Sequence, residues 1–320
     1  MRQFKQRAPD RPVIVSGAHR SGTTWVGRML CLSGELGYVF EPFRQHIPAQ
    51  GPSWISRGVP YAYQYIGPEN ETDFLAAAEN VMAMRCPIRK QLGTIRKVRH
   101  AGRLARLFCQ STSYRVRSLQ SLIKDPFALF ALEWLETRFK PAIVIMIRHP
   151  AGFASSLKRL DWRFDFRQWR DQEILMERYL HPFRDEIYDY CSRERDIIDQ
   201  AILLWRVIYS VVHQYRQVHP SWRFLRLEDL AADPLGCFRS LYRALDLTWD
   251  LGVERKIAKF SRAEGGGEVS PEDHQTIRRD SQAAIMTWAT RLTSEEIERV
   301  RRGTSDVSQW YYTTQEWQYD

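Results

Sequence analysis

The sequence predicts an α/β fold in which a parallel sheet is flanked by helices on both faces. Three observations support this prediction. The β-branched run Val13–Val15 enters a glycine-containing loop that continues with helical spacing, and Ala142–Ile147 is apolar on both faces, as a buried parallel strand is. Strand-like and helix-like segments also alternate along the chain. We predict further strands at 119–123 and 222–227, and helices at about 128–139, 196–218 and 234–245.

The composition predicts a folded domain rather than a disordered or membrane-spanning chain. Of the 320 residues, 44% are hydrophobic and 12% aromatic, which is ample material for a packed core. No apolar run approaches the ~20 residues that cross a bilayer. We expect a single domain over residues 1–320, interrupted by insertions around 44–115 and 160–195. Such insertions decorate the carboxyl edge of a parallel sheet, so we predict that they cap the substrate side of a cleft.

Cysteine spacing and the first residues favour a cytoplasmic location. The five cysteines lie far apart, with no pair at metal-ligand spacing, which favours free thiols in a reducing compartment and predicts no metal site. The segment from Met1 to Arg7 lacks the apolar stretch of a secretory signal.

The formal net charge of +9 indicates an anionic partner. Charge alone does not distinguish a nucleic acid, an acidic glycan and a nucleotide. Part of the surplus is concentrated in one stretch, which contains Arg96, Lys97, Arg99, His100, Arg103, Arg106, Arg115 and Arg117. A solvated helix face and a surface for an acidic substrate both explain this stretch.

The loop Gly17–Thr24 has the glycine spacing of a Walker A phosphate loop, but Thr23 stands where that motif has lysine. Its backbone amides, the start of a helix near Thr23 and the hydroxyls of Ser21, Thr23 and Thr24 all favour anion binding. The cation is displaced to Arg20. A kinase needs the lysine and a magnesium ion, so the loop better suits a single phosphate that carries a further anionic group. A plain strand-to-helix connection is the alternative.

Two motifs together resemble the sulfotransferases that use 3′-phosphoadenosine 5′-phosphosulfate (PAPS), and more closely their bacterial and carbohydrate-type members. The first is Arg20-Ser21-Gly22-Thr23-Thr24-Trp25 after a strand; the second is a strand ending in Arg148, followed by Pro150 and Ser156. The resemblance implies a P-loop-like strand–loop–helix that binds phosphosulfate, with Arg148 and Ser156 on the 3′-phosphate. The implied donor-binding residues are Gly17, His19, Arg20, Ser21, Gly22, Thr23, Thr24, Trp25, Arg148 and Ser156.

Weaker similarities extend along the chain, in Lys124-Asp125-Pro126, in 226–230 with Asp233-Pro234, and in Trp288 with 292–297. One part of the pattern is missing. Many members have an R-K-G-x-x-G loop near the C-terminus, where this chain has only Gly265–Gly267 and Arg278-Arg279.

The resemblance also implies catalytic roles. Arg20 would stabilise the leaving phosphate and Lys124 would approach the sulfonate. A base must take the proton of the acceptor hydroxyl. We favour Glu41, in Val39-Phe40-Glu41-Pro42, with Asp125 as the second candidate. We expect His19 to be structural or to contact the acceptor, and His149 to orient the turn at Arg148.

The acceptor is implied to be a hydroxyl of a carbohydrate or glycolipid, acidic glycans included, with no nucleic acid as partner. We assign the aromatic and arginine-rich stretch 162–170 to the acceptor-side cap. Two rivals remain open at this point. They are a P-loop kinase with an unusual loop, and a non-catalytic binder of nucleic acid or another polyanion.

Overall fold

The computed structural model describes residues 11–45, 52–55, 58–261 and 281–318. Its strands are β1 (Val13–Gly17), β2 (Leu36–Phe40), β3 (Gln120–Lys124), β4 (Ala142–Ile147) and β5 (Arg223–Arg226). Its α-helices are α1 (Thr23–Leu30), α2 (Leu75–Met82), α3 (Ile88–Gln91), α4 (Val98–Val116), α5 (Leu132–Phe139), α6 (Pro150–Leu160), α7 (Arg167–Arg170), α8 (Glu173–Arg178), α9 (Arg184–Ser192), α10 (Ile197–Val218), α11 (Leu227–Ala232), α12 (Pro234–Ala244), α13 (Leu251–Ser261), α14 (Ser281–Arg291) and α15 (Ser294–Ser308). Short 3-10 helices cover Cys31–Ser33, Glu71–Asp73, Leu92–Thr94, Pro126–Ala131, His181–Phe183 and Thr314–Trp317.

The five strands form one parallel sheet in the order β2-β3-β1-β4-β5. The predicted α/β class is therefore confirmed. Both neighbours of β1 come later in the chain, β3 on one side and β4 on the other, so the strand order reverses around β1. Ligands of open α/β sheets bind in the crevice at the carboxyl ends of the strands where such a reversal occurs.

Helices cover both faces of the sheet, as predicted. Alternate residues of β1 point to opposite sides, since Ile14 belongs to one buried apolar cluster and Val13 and Val15 to the other. The cluster around Ile14 includes apolar residues of α5, α6, α10 and α15, and the other includes residues of α1, α11, α12 and α13. Fully burying an aliphatic side chain of this kind contributes about 1.5–3 kcal/mol, so both faces stabilise the sheet.

The first part of the predicted helix at 128–139 is not α-helical in the structure. Residues Pro126–Ala131 form a 3-10 helix, and the α-helix begins only at Leu132. Pro126 stands at the first helical position, where its missing N–H costs nothing, and the Asp125 side chain caps the turn. Helical periodicity does not distinguish the two helix types over so short a span.

The insertion 44–115 contains α2 and α3 and most of α4. Its helix α4 packs beside β2, where the Gln110 Nε2 and the Tyr114 hydroxyl lie 3.3 and 3.4 Å from the Tyr38 carbonyl oxygen. Within the described ranges, no helix is both long and apolar enough to span a membrane.

Candidate active site

The loop after β1 is shaped by backbone conformations that favour glycine. Gly17 has φ 135°, and a Cβ there would clash with the Met146 carbonyl oxygen of the neighbouring strand. Gly22 has φ 91° and precedes α1 as its N-cap. The Ser21 hydroxyl donates to the Ala18 carbonyl at 2.6 Å and closes the turn. Amides at the start of an eight-residue helix are thereby presented at the crevice, an arrangement that binds anions.

Arg20, Ser156 and Arg148 adjoin one another, although they come from distant parts of the chain. The Arg20 Nε donates to the Ser156 Oγ at 3.0 Å, and the Arg148 Nη1 donates to the Arg20 carbonyl oxygen at 2.7 Å. Gly152 makes room for this arrangement, since a Cβ there would lie 3.1 Å from the Arg148 Nε. The two motifs that the sequence singled out therefore form one continuous group of donors beside the loop.

Two side chains of the long helix α10 hold the main chain at Arg148 in place. The Arg148 N–H donates to the Tyr209 hydroxyl at 3.1 Å, and the Trp205 indole N–H donates to the Arg148 carbonyl at 2.9 Å. Both side chains are fully buried. Sequence reasoning did not find them, because they lie about 60 residues further along the chain in what reads as an ordinary apolar helix face.

Glu41 and Lys124 meet at the ends of β2 and β3. Their positions follow from the register, which pairs Phe40 with Lys124. The Glu41 N–H donates to the Lys124 carbonyl at 2.8 Å, and the Lys124 ammonium is in ion-pair contact with the Glu41 Oε1. The Glu41 Oε2 lies 3.5 Å from Arg44, and the side chain keeps 11% of its surface exposed. The carboxylate is thus held between two cations and still reaches solvent.

Asp125, the second candidate for the base, is fully buried. Its two carboxyl oxygens accept the N–H groups of Phe43 at 2.5 Å and Phe127 at 2.9 Å. Burial, followed by the negative charge of Glu41, raises the pKa of Asp125 to about 7. This geometry anchors the segment that follows Glu41. Glu41 and Asp125 both stay candidates for the base.

His19 is buried beneath the loop. Its backbone N–H and its Nδ1 lie 3.0 and 2.6 Å from the Tyr63 hydroxyl, and its ring stands 4.7 Å from that of Trp162. Burial, then the charges of Arg20, Arg44 and Lys124, lowers the pKa of His19 to about 3. The imidazole is neutral at physiological pH and ties the insertion to the loop. Its place among the donor-binding residues stays a prediction.

The remaining predicted loop residues lie at the start of α1. Thr23 and Thr24 are its first two residues, with Thr23 buried and Thr24 half-buried. The Trp25 indole is buried and packs edge to face on Phe238, 5.4 Å between ring centroids. Its side chain therefore contributes packing between α1 and α12.

His149 is enclosed by residues of two segments with weaker sequence similarity, Glu228 and Trp288, and by the C-terminal residues Tyr312 and Trp317. Its N–H donates to Glu228 at 3.0 Å, and its ring stacks on Trp288 at 5.3 Å and meets Trp317 at 4.4 Å. Glu228 also accepts a hydrogen bond from the Tyr312 hydroxyl at 2.9 Å. The turn after β4 is therefore fixed by α11 and by the C-terminal part of the chain.

The stretch 162–170 divides into a buried aromatic face and an ion-paired polar face. Trp169 is fully buried, and Phe164 lies against it at 4.8 Å. Its arginines pair with nearby carboxylates, in the pairs Arg163–Asp161, Arg167–Asp165 and Arg170–Asp171. The aromatic residues explain the packing of the cap, and the ion pairs balance the arginine charge locally. Gly265–Gly267 and Arg278-Arg279 lie outside the described residues.

Comparison with known proteins gives a family. A profile described as "Sulfotransferase family" matches residues 12–251. No curated protein sequence matches the chain. Among solved structures, the sulfotransferase domain of the Synechococcus PCC 7002 olefin synthase is 18% identical, covers 97% of this chain and 98% of its own, and gives a TM-score of 0.47.

Two further solved structures are similar. The sulfotransferase domain from the curacin biosynthetic pathway is 16% identical, with 94% of this chain and 99% of that one covered and a TM-score of 0.46. Sulfotransferase STF9 from Mycobacterium avium is 13% identical, with 95% and 78% covered and a TM-score of 0.42. The profile match over most of the chain confirms what the two motifs indicated: the chain belongs to the sulfotransferase family.

Proposed function

We propose that this chain transfers a sulfonate group from PAPS to a hydroxyl of a carbohydrate or glycolipid acceptor. The observation that carries the proposal is the contact of Arg20 with both Ser156 and Arg148, directly beside the loop amides. A nucleotide with phosphate at both the 3′ and 5′ positions needs donors for each of its two anionic ends, and the two ends of this continuous group can supply them. In this proposal, Arg148 and Ser156 hold its 3′-phosphate and the loop holds its phosphosulfate.

The shape of the loop fits such a donor. Because Gly17 and Gly22 lack side chains, the backbone amides are open to a ligand, and Arg20 adds a guanidinium beside them. Thr23 is already the first residue of α1, at the place where a kinase needs lysine. The loop thus favours the sulfotransferase over the kinase.

The chemistry assigned to the protein is positioning, charge stabilisation and removal of one proton. Arg20 and the loop amides stabilise negative charge that develops on the leaving phosphate. Glu41 accepts the proton of the acceptor hydroxyl, a role that contributes about 10²–10⁴-fold. Lys124 lies against Glu41 at the neighbouring strand end, so its ammonium orients the carboxylate and adds positive charge where the sulfonate passes.

The same proposal includes the domain organisation and the compartment of the enzyme. Residues 1–320 form one domain, whose inserted segments make the acceptor side of the cleft. All five cysteines are free thiols, which suits a reducing compartment such as the cytoplasm.

A ligand-stabilisation experiment tests the proposal. The melting temperature is measured with 3′-phosphoadenosine 5′-phosphate, with ATP and Mg²⁺, and with an oligonucleotide. We expect the bisphosphate nucleotide alone to stabilise the wild type strongly, since a ligand at 100 times its Kd adds about 2.7 kcal/mol. The Arg148→Ala variant should lose most of this shift, and Arg255→Ala, which removes an exposed arginine of α13, should keep it. No shift with the bisphosphate nucleotide would refute the proposal, whereas a shift only with ATP and Mg²⁺ would favour the kinase.

A further inference from the structure

Helix α4 turns an apolar row of side chains away from the protein. Four exposed residues are spaced by seven, four and seven positions, which aligns them along one side of a helix. They are Val98, Ala105, Cys109 and Val116. Phe108 stands beside this row and is 46% exposed, whereas Val98 and Val116, at the two ends of the helix, are 93% and 79% exposed. We call these five residues the outer face of α4.

Core packing does not explain the outer face, because α4 already has a buried side. His100, Leu104 and Ser111 are the buried residues of the helix. The Ser111 hydroxyl donates to the Met84 carbonyl at 2.7 Å and so holds this side against the protein. A surface helix ordinarily carries polar residues opposite its buried side, whereas the outer face of α4 is apolar.

Exposed apolar side chains are concentrated in this part of the chain. Ten large apolar side chains are exposed among the described residues, and four of them lie within 92–116. These four are Leu92, Val98, Phe108 and Val116. Apolar groups exposed together in this way mark a surface that contacts a partner.

The same segment is strongly basic. Residues 85–117 contain ten Lys and Arg side chains and no Asp or Glu, against a net charge of +9 for the whole chain. All ten residues are exposed. They are Arg85, Arg89, Lys90, Arg96, Lys97, Arg99, Arg103, Arg106, Arg115 and Arg117. Leaving Arg103 aside, none of them is ion-paired to a carboxylate within the described ranges. The segment therefore attracts anionic partners.

The apolar and the basic residues belong to one surface. By helical spacing, Arg99 and Arg106 lie along one flank of the outer face and Arg115 lies along the other. An apolar strip with cations beside it is typical of helices that lie in the surface of an anionic bilayer, where apolar side chains enter the headgroup region and cations meet lipid phosphates.

Other partners use only part of this surface. Nucleic acid would engage the charges through its phosphates and leave the apolar strip in water. A second copy of the chain would cover the strip but bring two basic segments together, and like charges repel. An anionic bilayer uses both features at once.

We propose that the outer face of α4 docks the protein on an anionic lipid bilayer, with Val98, Phe108 and Val116 among the headgroups and the flanking arginines on lipid phosphates. Helix α4 then lies in the plane of the membrane surface and does not cross it. The docked helix packs beside β2, the strand that leads to Glu41. The inference goes beyond the proposed function, because binding to lipid needs neither PAPS nor an acceptor.

Flotation of the full-length protein with vesicles tests the inference. Vesicles of phosphatidylcholine alone are compared with anionic vesicles of equal parts phosphatidylcholine and phosphatidylglycerol, without nucleotide. Two variants remove the two features separately. The apolar variant is Val98→Gln/Phe108→Gln/Val116→Gln, and the charge variant is Arg99→Gln/Arg106→Gln. Glutamine is chosen because it favours helix, so α4 is retained.

Two matched controls make the same kinds of change on other exposed helix positions. Val218→Gln/Leu251→Gln removes exposed apolar side chains of α10 and α13, and Arg255→Gln/Lys256→Gln removes exposed cations of α13. Every substituted residue is exposed, so the melting temperature of each variant should stay close to that of the wild type.

We expect the wild type and both controls to bind the anionic vesicles at least about tenfold more tightly than the neutral ones, since several Lys and Arg side chains act together at the surface. The apolar variant and the charge variant should each bind the anionic vesicles at least about tenfold more weakly, because one loses apolar burial and the other loses attraction. Equal binding of the wild type to both kinds of vesicle, absence of binding included, would overturn the inference. Undiminished binding by the apolar variant would overturn it too, because charge alone would then explain the attraction.

Two further measurements address the other partners. Binding of an oligonucleotide that the charge variant loses and the apolar variant keeps, without vesicle binding, would assign the segment to nucleic acid. A dimer of the wild type in sedimentation that becomes a monomer in the apolar variant would assign the outer face to a second copy. Either result would overturn the inference. Failure of the bisphosphate nucleotide to bind would count against the sulfotransferase proposal alone, since the flotation uses no nucleotide.

Discussion

The Arg20 guanidinium donates to the Ser156 hydroxyl at 3.0 Å, across 136 residues of sequence. Arg20 belongs to the loop after β1 and has a left-handed backbone conformation, φ 65°, whereas Ser156 lies in the middle of α6. The contact fixes the distance between the two halves of the proposed donor site before any ligand arrives. Preorganisation of this kind raises affinity, because less ordering remains to be done on binding.

Removal of the Ser156 hydroxyl should weaken donor binding. In Ser156→Ala we expect the Kd for 3′-phosphoadenosine 5′-phosphate to rise about tenfold, since a hydrogen bond to a charged group is worth about 1.5–3 kcal/mol. Ser155→Ala is the matched control: Ser155 is the preceding residue of α6, is also buried, and its hydroxyl has no hydrogen-bond partner among the described residues. Calorimetric titration measures both, and equal losses in the two variants would contradict the role given to Ser156.

Substitution of Glu41 by glutamine should reduce turnover without loss of donor binding. The amide keeps the shape of the carboxylate but is not a base, so we expect kcat to fall by about 10²–10⁴-fold. Turnover with PAPS and a responsive acceptor gives kcat, and nucleotide titration gives the Kd. Glu79→Gln, which removes an exposed carboxylate of α2, should behave as the wild type. An unchanged kcat in Glu41→Gln would show that another residue is the base.

Replacement by alanine should have opposite effects on protein stability at two glycines. At Gly17, with φ 135° and the Met146 carbonyl in the way, we expect a loss of about 2–4 kcal/mol in the free energy of unfolding. At Gly102 in α4 an added Cβ meets nothing within 4 Å, so alanine should stabilise the helix by about 0.5–1 kcal/mol. Urea denaturation measures both changes. A stable Gly17→Ala protein would show that the loop tolerates a side chain there.

The buried ring of His149 should make the protein sensitive to acid. Burial, then the charges of Arg148 and Arg226, lowers the pKa of His149 to about 3, against 6.5 for an ordinary histidine. Between these two pH values His149 is protonated in the unfolded chain and neutral in the folded protein. The free energy of unfolding therefore falls as the pH drops below about 6.5. The loss of stability approaches about 1.4 kcal/mol per pH unit for one such group.

The His149→Phe variant isolates this effect. Phenylalanine can keep the stacking on Trp288, and in the described part of the chain neither imidazole nitrogen has a hydrogen-bond partner to lose. We expect near wild-type stability at pH 7 and a smaller loss than the wild type at pH 5, by urea denaturation. The lowered pKa of His19 also reduces stability in acid, whereas the raised pKa of Asp125 increases it. Both effects are present in the wild type and in the variant, so they cancel when the two proteins are compared. An identical loss in the two proteins would refute the assignment.

The sequence predicted the parts of the structure that depend on local pattern. Val13–Val15 and Ala142–Ile147 read as buried strands because β-branched and apolar residues are uninterrupted there, and the loop was recognisable from its two glycines. The family also followed from two short motifs, which the profile match confirms.

Other features depend on contacts between distant residues and could not be predicted. No local pattern indicates that Tyr63 bonds His19 or that Asp125 holds Phe43, since these partners lie 44 and 82 residues apart. For the same reason the sequence gives no sign that the His19 ring is enclosed by aromatic residues of three other segments. Burial of this kind is a property of the assembled fold.

The strand that leads to Glu41 occupies the rim of the sheet and pairs only with β3 within the described residues. Substitutions in β2 and in the insertion after it disturb a single ladder of hydrogen bonds, whereas changes at β1 would disturb two. The sheet thus has a centre that is hydrogen-bonded on both sides, next to the loop and Arg148, and a rim that is hydrogen-bonded on one side. If the proposed function is right, a lineage could change its acceptor through the insertion that follows this rim strand, while the loop, Arg148 and Glu41 are retained.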